Sequence, residues 1–291
     1  MVPQSKVLPI KTYAEAYSDF INGNKAYFKR PSIHYLAPFQ IFGNLYYVGS
    51  KRVCCHLVDT GEGLILFDSG YPHEIHVLFD SIWRLGFDPA NIKYIIHSHG
   101  HFDHFGASNE MKALFGCELL MSEVDTALLR EDNRRALIHD GPWPNDEIAW
   151  PDRELRDGDE IVLGNTRIKC VLTPGHTAGV MSFFFDVTDG ERTLRAGYMG
   201  GAGFLTIYKD HCREYGLPMD LCDQLGKSIQ KIWDEKVDIT IGNHPNQNCT
   251  LEKRQWMLDH PGENPFIDSN SWRSFLADLE EKRKKFKALG Y

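Results

Sequence analysis

The chain has 291 residues, 42% of them hydrophobic, which is enough to bury a substantial core as one large domain. Its 40 acidic residues outnumber 32 basic ones for a net charge of -8, and no Lys/Arg stripe precedes the last helix, so nucleic acid is excluded as an expected partner. The opening MVPQSKVLPIKTYAEAYSDF lacks the apolar run of a secretory signal, and no stretch approaches the roughly 18 apolar residues of a membrane span; a cytoplasmic protein without membrane contact is expected.

Residues 1–37 read as an N-terminal extension, with a short amphipathic helix at about 12–22 and Pro31 and Pro38 interrupting regular structure. From Phe39 the runs IFGNLYYVG, VCCHLVDT and GLILFDSG, separated by short turns, predict an antiparallel meander. A helix at 73–85 is stopped by Gly86, and the strand KYIIHS then runs into HGHFDHFG and a second helix at about 105–114. Further strands are expected at 117–121, 160–163, 166–172, 180–187 and 193–198, followed by a helix at 221–234 and the strand VDITIG. In the last stretch, 269–289, Trp272, Phe275, Leu276, Leu279 and Phe286 recur at helical spacing, and the basic run EEKRKKFK reads as its solvated face. No low-complexity linker divides the chain. The reading is one domain, 1–291, with a catalytic core at 38–250 and a C-terminal helical segment at 251–291. Seven cysteines (Cys54, Cys55, Cys117, Cys170, Cys212, Cys222, Cys249) show no C-x-x-C spacing, so buried free thiols are expected rather than a disulfide framework or a cysteine metal site.

The chemistry concentrates in IIHSHGHFDHFG, where His97, His99, His101, Asp103 and His104 fall within eight positions. A lone histidine in a strand is usually a hydrogen-bonded structural residue; this density is hard to explain by packing. His99 and His101, two apart on an extended segment, point to one side, and Asp103 and His104 begin a helix. Imidazole and carboxylate suit zinc, and such a cluster is unfavourable to bury without a cation. Two further strand-end loops supply histidine: TPGHT with His176 and GNHPN with His244.

The order HGHFDH, TPGHT, GNHP, with FDSG upstream, resembles the metallo-β-lactamase superfamily over roughly residues 39–248. The resemblance implies a four-layer αβ/βα sandwich of the α/β (α+β) class. It also implies two Zn2+ per chain, one held by His99, His101 and His176 and the second by Asp103, His104 and His244. Asp68 would orient a ligand histidine. Dinuclear members such as glyoxalase II and acyl-homoserine lactonases carry a bridging aspartate where this chain has Tyr198, so the β-lactamase branch, without that carboxylate, fits best. The serines with which that branch grips a β-lactam are replaced by Met199, Gly200 and Gly201.

The expected function is therefore a zinc-dependent hydrolase of a small-molecule substrate, in which a zinc-bound hydroxide attacks a strained amide or ester carbonyl, with weak β-lactam turnover. Asp103 would orient the hydroxide, Tyr198 would donate to the oxyanion, and Lys209 or Arg213 would supply a grip on the substrate. The alternatives are a lactonase or thioesterase on the same site, a mononuclear iron dioxygenase, and a metal-binding protein without turnover.

Overall fold

The computed structural model describes residues 10–138 and 147–291; the first nine residues of the N-terminal extension lie outside that range. In chain order the elements are α1 (Tyr13–Lys29), β1 (Phe39–Phe42), β2 (Leu45–Tyr47), β3 (His56–Asp59), β4 (Leu64–Phe67), α2 (Ile75–Arg84), β5 (Ile92–Ile96), α3 (Phe102–Phe105), α4 (Ser108–Phe115), β6 (Glu118–Ser122) and α5 (Glu123–Glu131). They continue with β7 (Arg153–Leu155), β8 (Glu160–Leu163), β9 (Thr166–Leu172), β10 (Met181–Thr188), β11 (Thr193–Met199), α6 (Lys209–Tyr215), α7 (Leu221–Lys231), β12 (Ile239–Gly242), α8 (Thr250–Asp259) and α9 (Ser271–Ala288). The strands form a seven-stranded sheet, β1-β2-β3-β4-β5-β6-β7, and a five-stranded sheet, β12-β11-β10-β9-β8.

The antiparallel meander expected of the first strands holds through β4. From there β5, β6 and β7 add in parallel, which the intervening helical crossovers require. The run Phe183-Phe184-Phe185 in β10 shows how period-two alternation builds the layers. Phe183 and Phe185 enter the core between the sheets with Phe67 and Tyr198, whereas Phe184 points outward to Leu225, Ile229, Trp272 and Leu276 under α7 and α9. Leu66 and Ile95 on the outer face of the first sheet likewise pack on Leu78, Ile82 and Met111 of α2 and α4. Helices thus cover both outer faces of two stacked sheets, the αβ/βα sandwich. Each fully buried Phe contributes up to about 3 kcal/mol, so these three layers dominate stability.

The expected helix at 105–114 is in fact two. Gly106 donates its N–H to Gly70 O at 2.9 Å, outside the helical ladder, and a Cβ there would stand 2.3 Å from Pro72 Cδ. That close approach ends α3 after one turn and restarts the chain as α4. No helix among the described residues is long and apolar enough to cross a membrane, and all seven cysteines are free.

Candidate metal centre

Parallel pairing puts the C-terminal ends of β4 and β5 level, Phe67 opposite Ile96, and those of β11 and β12 level, Met199 opposite Gly242. The segments leaving these ends, together with the β9–β10 turn, carry the chemistry. Asp68 follows β4, the run from His97 to His104 follows β5, His176 lies in the β9–β10 turn and His244 follows β12. His101 is extended (φ −96°, ψ 149°), so His99 and His101 fall on one side, while Asp103 and His104 occupy α3. The ligand atoms of His99, His101 and His176 lie within 4.8 Å of one another, as do those of Asp103, His104 and His244. Three rings of the first group stand nearly perpendicular with centroids 4.6–4.7 Å apart.

Hydrogen bonding fixes which nitrogen is free in four of the five rings. His99 Nδ1 lies 2.8 Å from Gly200 O, His176 Nδ1 3.1 Å from Gly203 O, His244 Nδ1 2.8 Å from Arg52 O, and His104 Nδ1 2.7 Å from Asp68 Oδ2. Carbonyl and carboxylate oxygens only accept, so Nδ1 carries the proton in each ring and Nε2 is left with a lone pair. His99 Nε2 and His104 Nε2 are buried without a hydrogen-bond partner among the described residues. A buried acceptor left unmade costs about 1–3 kcal/mol, and a cation on those lone pairs removes the cost. Burial, reinforced by the neighbouring histidines, pushes His99 and His101 well below the usual histidine range and His176 to about 3. This triad is therefore neutral and able to ligate at neutral pH. At His104 burial works the other way from Asp103 and Asp68, and the two carboxylates prevail, raising its pKa. The donor set fits zinc.

Asp68 sits in the left-handed region (φ 56°), an uncommon conformation for a non-glycine residue that aims its carboxylate into this network. Oδ1 accepts from Ser98 N, and Oδ2 accepts from Ser98 Oγ, His104 Nδ1 and Tyr198 Oη, all at 2.7 Å. Burial alone would raise its pKa; His104, Ser98 and Tyr198 outweigh it and hold the carboxyl below its ordinary value. The structure corrects the role expected of Tyr198. Its ring is wholly buried between the sheets, opposite Phe183, and its hydroxyl donates to Asp68, so it does not reach a substrate carbonyl. Lys209 and Arg213 are corrected as well: Lys209 Nζ donates to Gly290 O and Arg213 pairs with Asp210 on the surface, both away from the cleft. His97 is a structural member of its cluster, bonded to Leu120 O and Ser108 Oγ.

Two residues missed in the sequence complete the scaffold. Buried Asp125 of α5 accepts from Gly100 N, Thr177 Oγ1 and Gly179 N, each at 2.8 Å, tying the His99–His101 loop to the His176 loop. Ser122-x-x-Asp125 is a capping signature that could have announced α5. Asn243 Nδ2 donates at 2.6 Å to Gly200 O, the same oxygen that holds His99. His101, Asp103, His176 and His244 open onto a cleft of about 500 Å³, within the range of small-molecule sites.

Residues 51–190 match the family model of the metallo-beta-lactamase superfamily. The fold matches a subclass B3 metallo-beta-lactamase of Bradyrhizobium japonicum with a TM-score of 0.74 and 30% identity, covering 87% of this chain and 94% of that one. This chain belongs to the metallo-beta-lactamase superfamily. A class B3 di-zinc metallo-beta-lactamase from an Alaskan soil metagenome is similarly close, with a TM-score of 0.73 and 27% identity over 87% of this chain and 95% of that one. An N-acyl homoserine lactonase of Bacillus thuringiensis is 28% identical over 168 residues, 49% of this chain and 61% of the lactonase. The chain is thus a metallo-beta-lactamase superfamily hydrolase, with two candidate metal-binding triads.

Proposed function

We propose that this chain is a dizinc hydrolase of strained cyclic amides and esters, of the β-lactamase type with weak turnover of β-lactams. The observation that carries the reading is the pair of triads, in which the backbone or Asp68 holds Nδ1 of His99, His104, His176 and His244 and leaves Nε2 free. His99, His101 and His176 would hold one ion and Asp103, His104 and His244 the other. Zinc bound there supplies Lewis acidity and lowers the pKa of water to about 7. Asp103 is the only carboxylate in either triad, with Oδ2 3.5 Å from His104 Nε2 and 3.6 Å from His244 Nε2. It is the group placed to orient the attacking water and take up its proton.

Weak β-lactam turnover follows from the wall after β11, where glycines stand in place of hydroxyl side chains. A Cβ at Gly203 would lie 2.9 Å from His176 Nδ1 and Cε1, and one at Gly201 3.1 Å from His176 Cβ. This wall is shaped to seat His176, and a substrate carboxylate finds no serine there. The lactonase or thioesterase reading keeps support from the apolar part of the cleft, where Phe20, Tyr71, Leu137, Leu205 and Leu251 could take an acyl chain.

The test is a panel assay of zinc-loaded protein against a chromogenic cephalosporin, a lactone and a thioester, alongside metal analysis. About two zinc per chain is expected, with slow cephalosporin hydrolysis abolished by chelator, restored by zinc, and largely lost in Asp103→Asn. At most one zinc at saturation sinks the dinuclear assignment. Inactivity on every β-lactam with good lactone or thioester turnover moves the function to the second reading.

A further inference from the structure

The basic run of α9 read as a solvated face in the sequence, yet one of its lysines lines the cleft. Lys282 lines it together with His101, His176 and His244; Lys51, Arg52 and Glu252 line it too, but among these charged side chains Lys282 is the one whose ammonium stands over Phe204. Its ammonium stands 4.6 Å from the centre of the Phe204 ring. Phe204 is the residue after Gly203, whose carbonyl oxygen holds His176, so the charge is anchored one residue from a support of the first triad.

The pairing pattern along α9 sets Lys282 apart. Arg273 pairs with Asp234, Arg283 and Lys284 with Glu280, Lys285 with Glu281, and Lys287 with Asp223. Every basic residue of the helix except Lys282 therefore has a carboxylate. Asp278, one turn before Lys282 on the same helix face, is its natural i,i+4 partner, but no ion pair forms between them. Lys282 instead bends over an aromatic face in a half-buried position, where burial lowers its pKa, and it forms no ion pair with a carboxylate among the described residues, although Glu252 lines the same cleft. A partly desolvated cation without a counterion is unfavourable, and the Phe204 contact, worth about 0.5–2 kcal/mol, compensates only in part. An anion entering the cleft would complete the arrangement.

We infer that Lys282 is the anion anchor of the cleft and selects substrates that carry a carboxylate on the part lying against Phe204. The inference rests on the hydrolase reading only in naming the cleft as the substrate site. It replaces Lys209 and Arg213 as the grip that the wall after β11 lacks. It also sets a preference within the proposed chemistry: acidic substrates over neutral lactones of the same size.

The anchor is tested by binding, separately from turnover. Fluorescence anisotropy of 6-dansylaminohexanoate and of its methyl ester is measured on the full chain, zinc-loaded and metal-free, so that any pull of the metal on the carboxylate is removed in one arm. Wild type is expected to favour the acid over the ester in both forms. Lys282→Met should weaken acid binding about 10- to 100-fold while leaving the ester unchanged, Lys282→Arg should stay near wild type, and Lys284→Met, on the exposed face, should have no effect. Lys282→Gln serves the same purpose if thermal melting shows that the Met variant is not folded. Equal binding of acid and ester to metal-free wild type, no binding of either, or an acid preference that survives Lys282→Met and Lys282→Gln would overturn the proposal. A chain that discriminates acid from ester through Lys282 but turns over no lactam, lactone or thioester keeps the anchor and loses the hydrolase reading; turnover without discrimination does the reverse.

Discussion

Asp68→Asn is a change of one atom whose effect should reach the second metal triad. The carboxylate accepts four hydrogen bonds, three of them on Oδ2 from Ser98 Oγ, Tyr198 Oη and His104 Nδ1. In the amide, Oδ1 still serves Ser98 N, but an NH2 group with two hydrogens now faces three former donors. The hydroxyls of Ser98 and Tyr198 can turn and accept; the imidazole can accept on Nδ1 only by moving its proton to Nε2. Nε2 is the atom turned toward Asp103, 3.5 Å away. Either His104 loses its ligating lone pair, or two N–H groups oppose each other in a buried site. Removing such a support usually weakens metal binding 10- to 100-fold, about 1.4–2.8 kcal/mol. Losing the charge-assisted bonds should lower the stability of the metal-free protein by about 2–4 kcal/mol. Competition titration with a chelator that resolves both sites, paired with denaturant unfolding, checks both numbers. The site of Asp103, His104 and His244 should lose affinity while that of His99, His101 and His176 changes little; two unchanged affinities would refute the tautomer argument.

Asp125→Ala removes three hydrogen bonds between the loops that carry His99, His101 and His176 and should weaken the first triad's zinc affinity about 10- to 100-fold, read in the same titration. Gly203→Ala puts a methyl group 2.9 Å from the His176 ring, so the ring must shift; a loss of zinc at the first triad with little change in melting temperature is expected, and unaltered affinity would show that the loop yields instead. Burial pushes His56 and His211 to about 3 and about 4, so both stay neutral in the fold while the unfolded chain protonates near 6.5. Their stability contribution is complete above pH 6.5 and drains as pH falls toward 4, at up to about 1.4 kcal/mol per unit each; His56→Phe should move acid unfolding of the metal-free protein to lower pH, and an unmoved midpoint would count against it.

The two candidate metal-binding triads were legible because only a few residue types bind zinc and they stand in short motifs at strand ends. What failed depended on direction rather than identity. Tyr198 pairs with Phe183 across β10 and β11, and Phe183 faces the core between the sheets, so the same alternation that defines the strand turns Tyr198 inward to Asp68. Lys209 and Arg213 follow the loop after β11 along the chain, whereas the cations that line the cleft are Lys51, Arg52 and Lys282, all distant from that loop in sequence and the last on a helix whose charged positions look alike. Asp125 was hidden for a related reason. Its spacing from Ser122 announces a helix start, but its carboxylate serves two loops that only the tertiary fold brings to it.

The supports around His99 make a final prediction that single substitutions cannot reach. Asp68 holds Ser98 by its N–H and hydroxyl, and Asp125 holds Gly100 by its N–H, so two carboxylates from different sides grip the residues that flank one ligand. Either grip alone still limits how far His99 can move, and its Nδ1–H bond to Gly200 O adds a third restraint. Removing one carboxylate should therefore cost less at the first triad than removing it after the other has gone. In a cycle of Asp68→Ala, Asp125→Ala and the double variant, zinc affinity of the first triad should show a coupling of about 0.5–3 kcal/mol, with the double variant worse than the sum. Independent supports would give additivity within about 0.5 kcal/mol, and that result would mean that the backbone of the loop from Ser98 to Gly100, rather than the two carboxylates together, fixes His99.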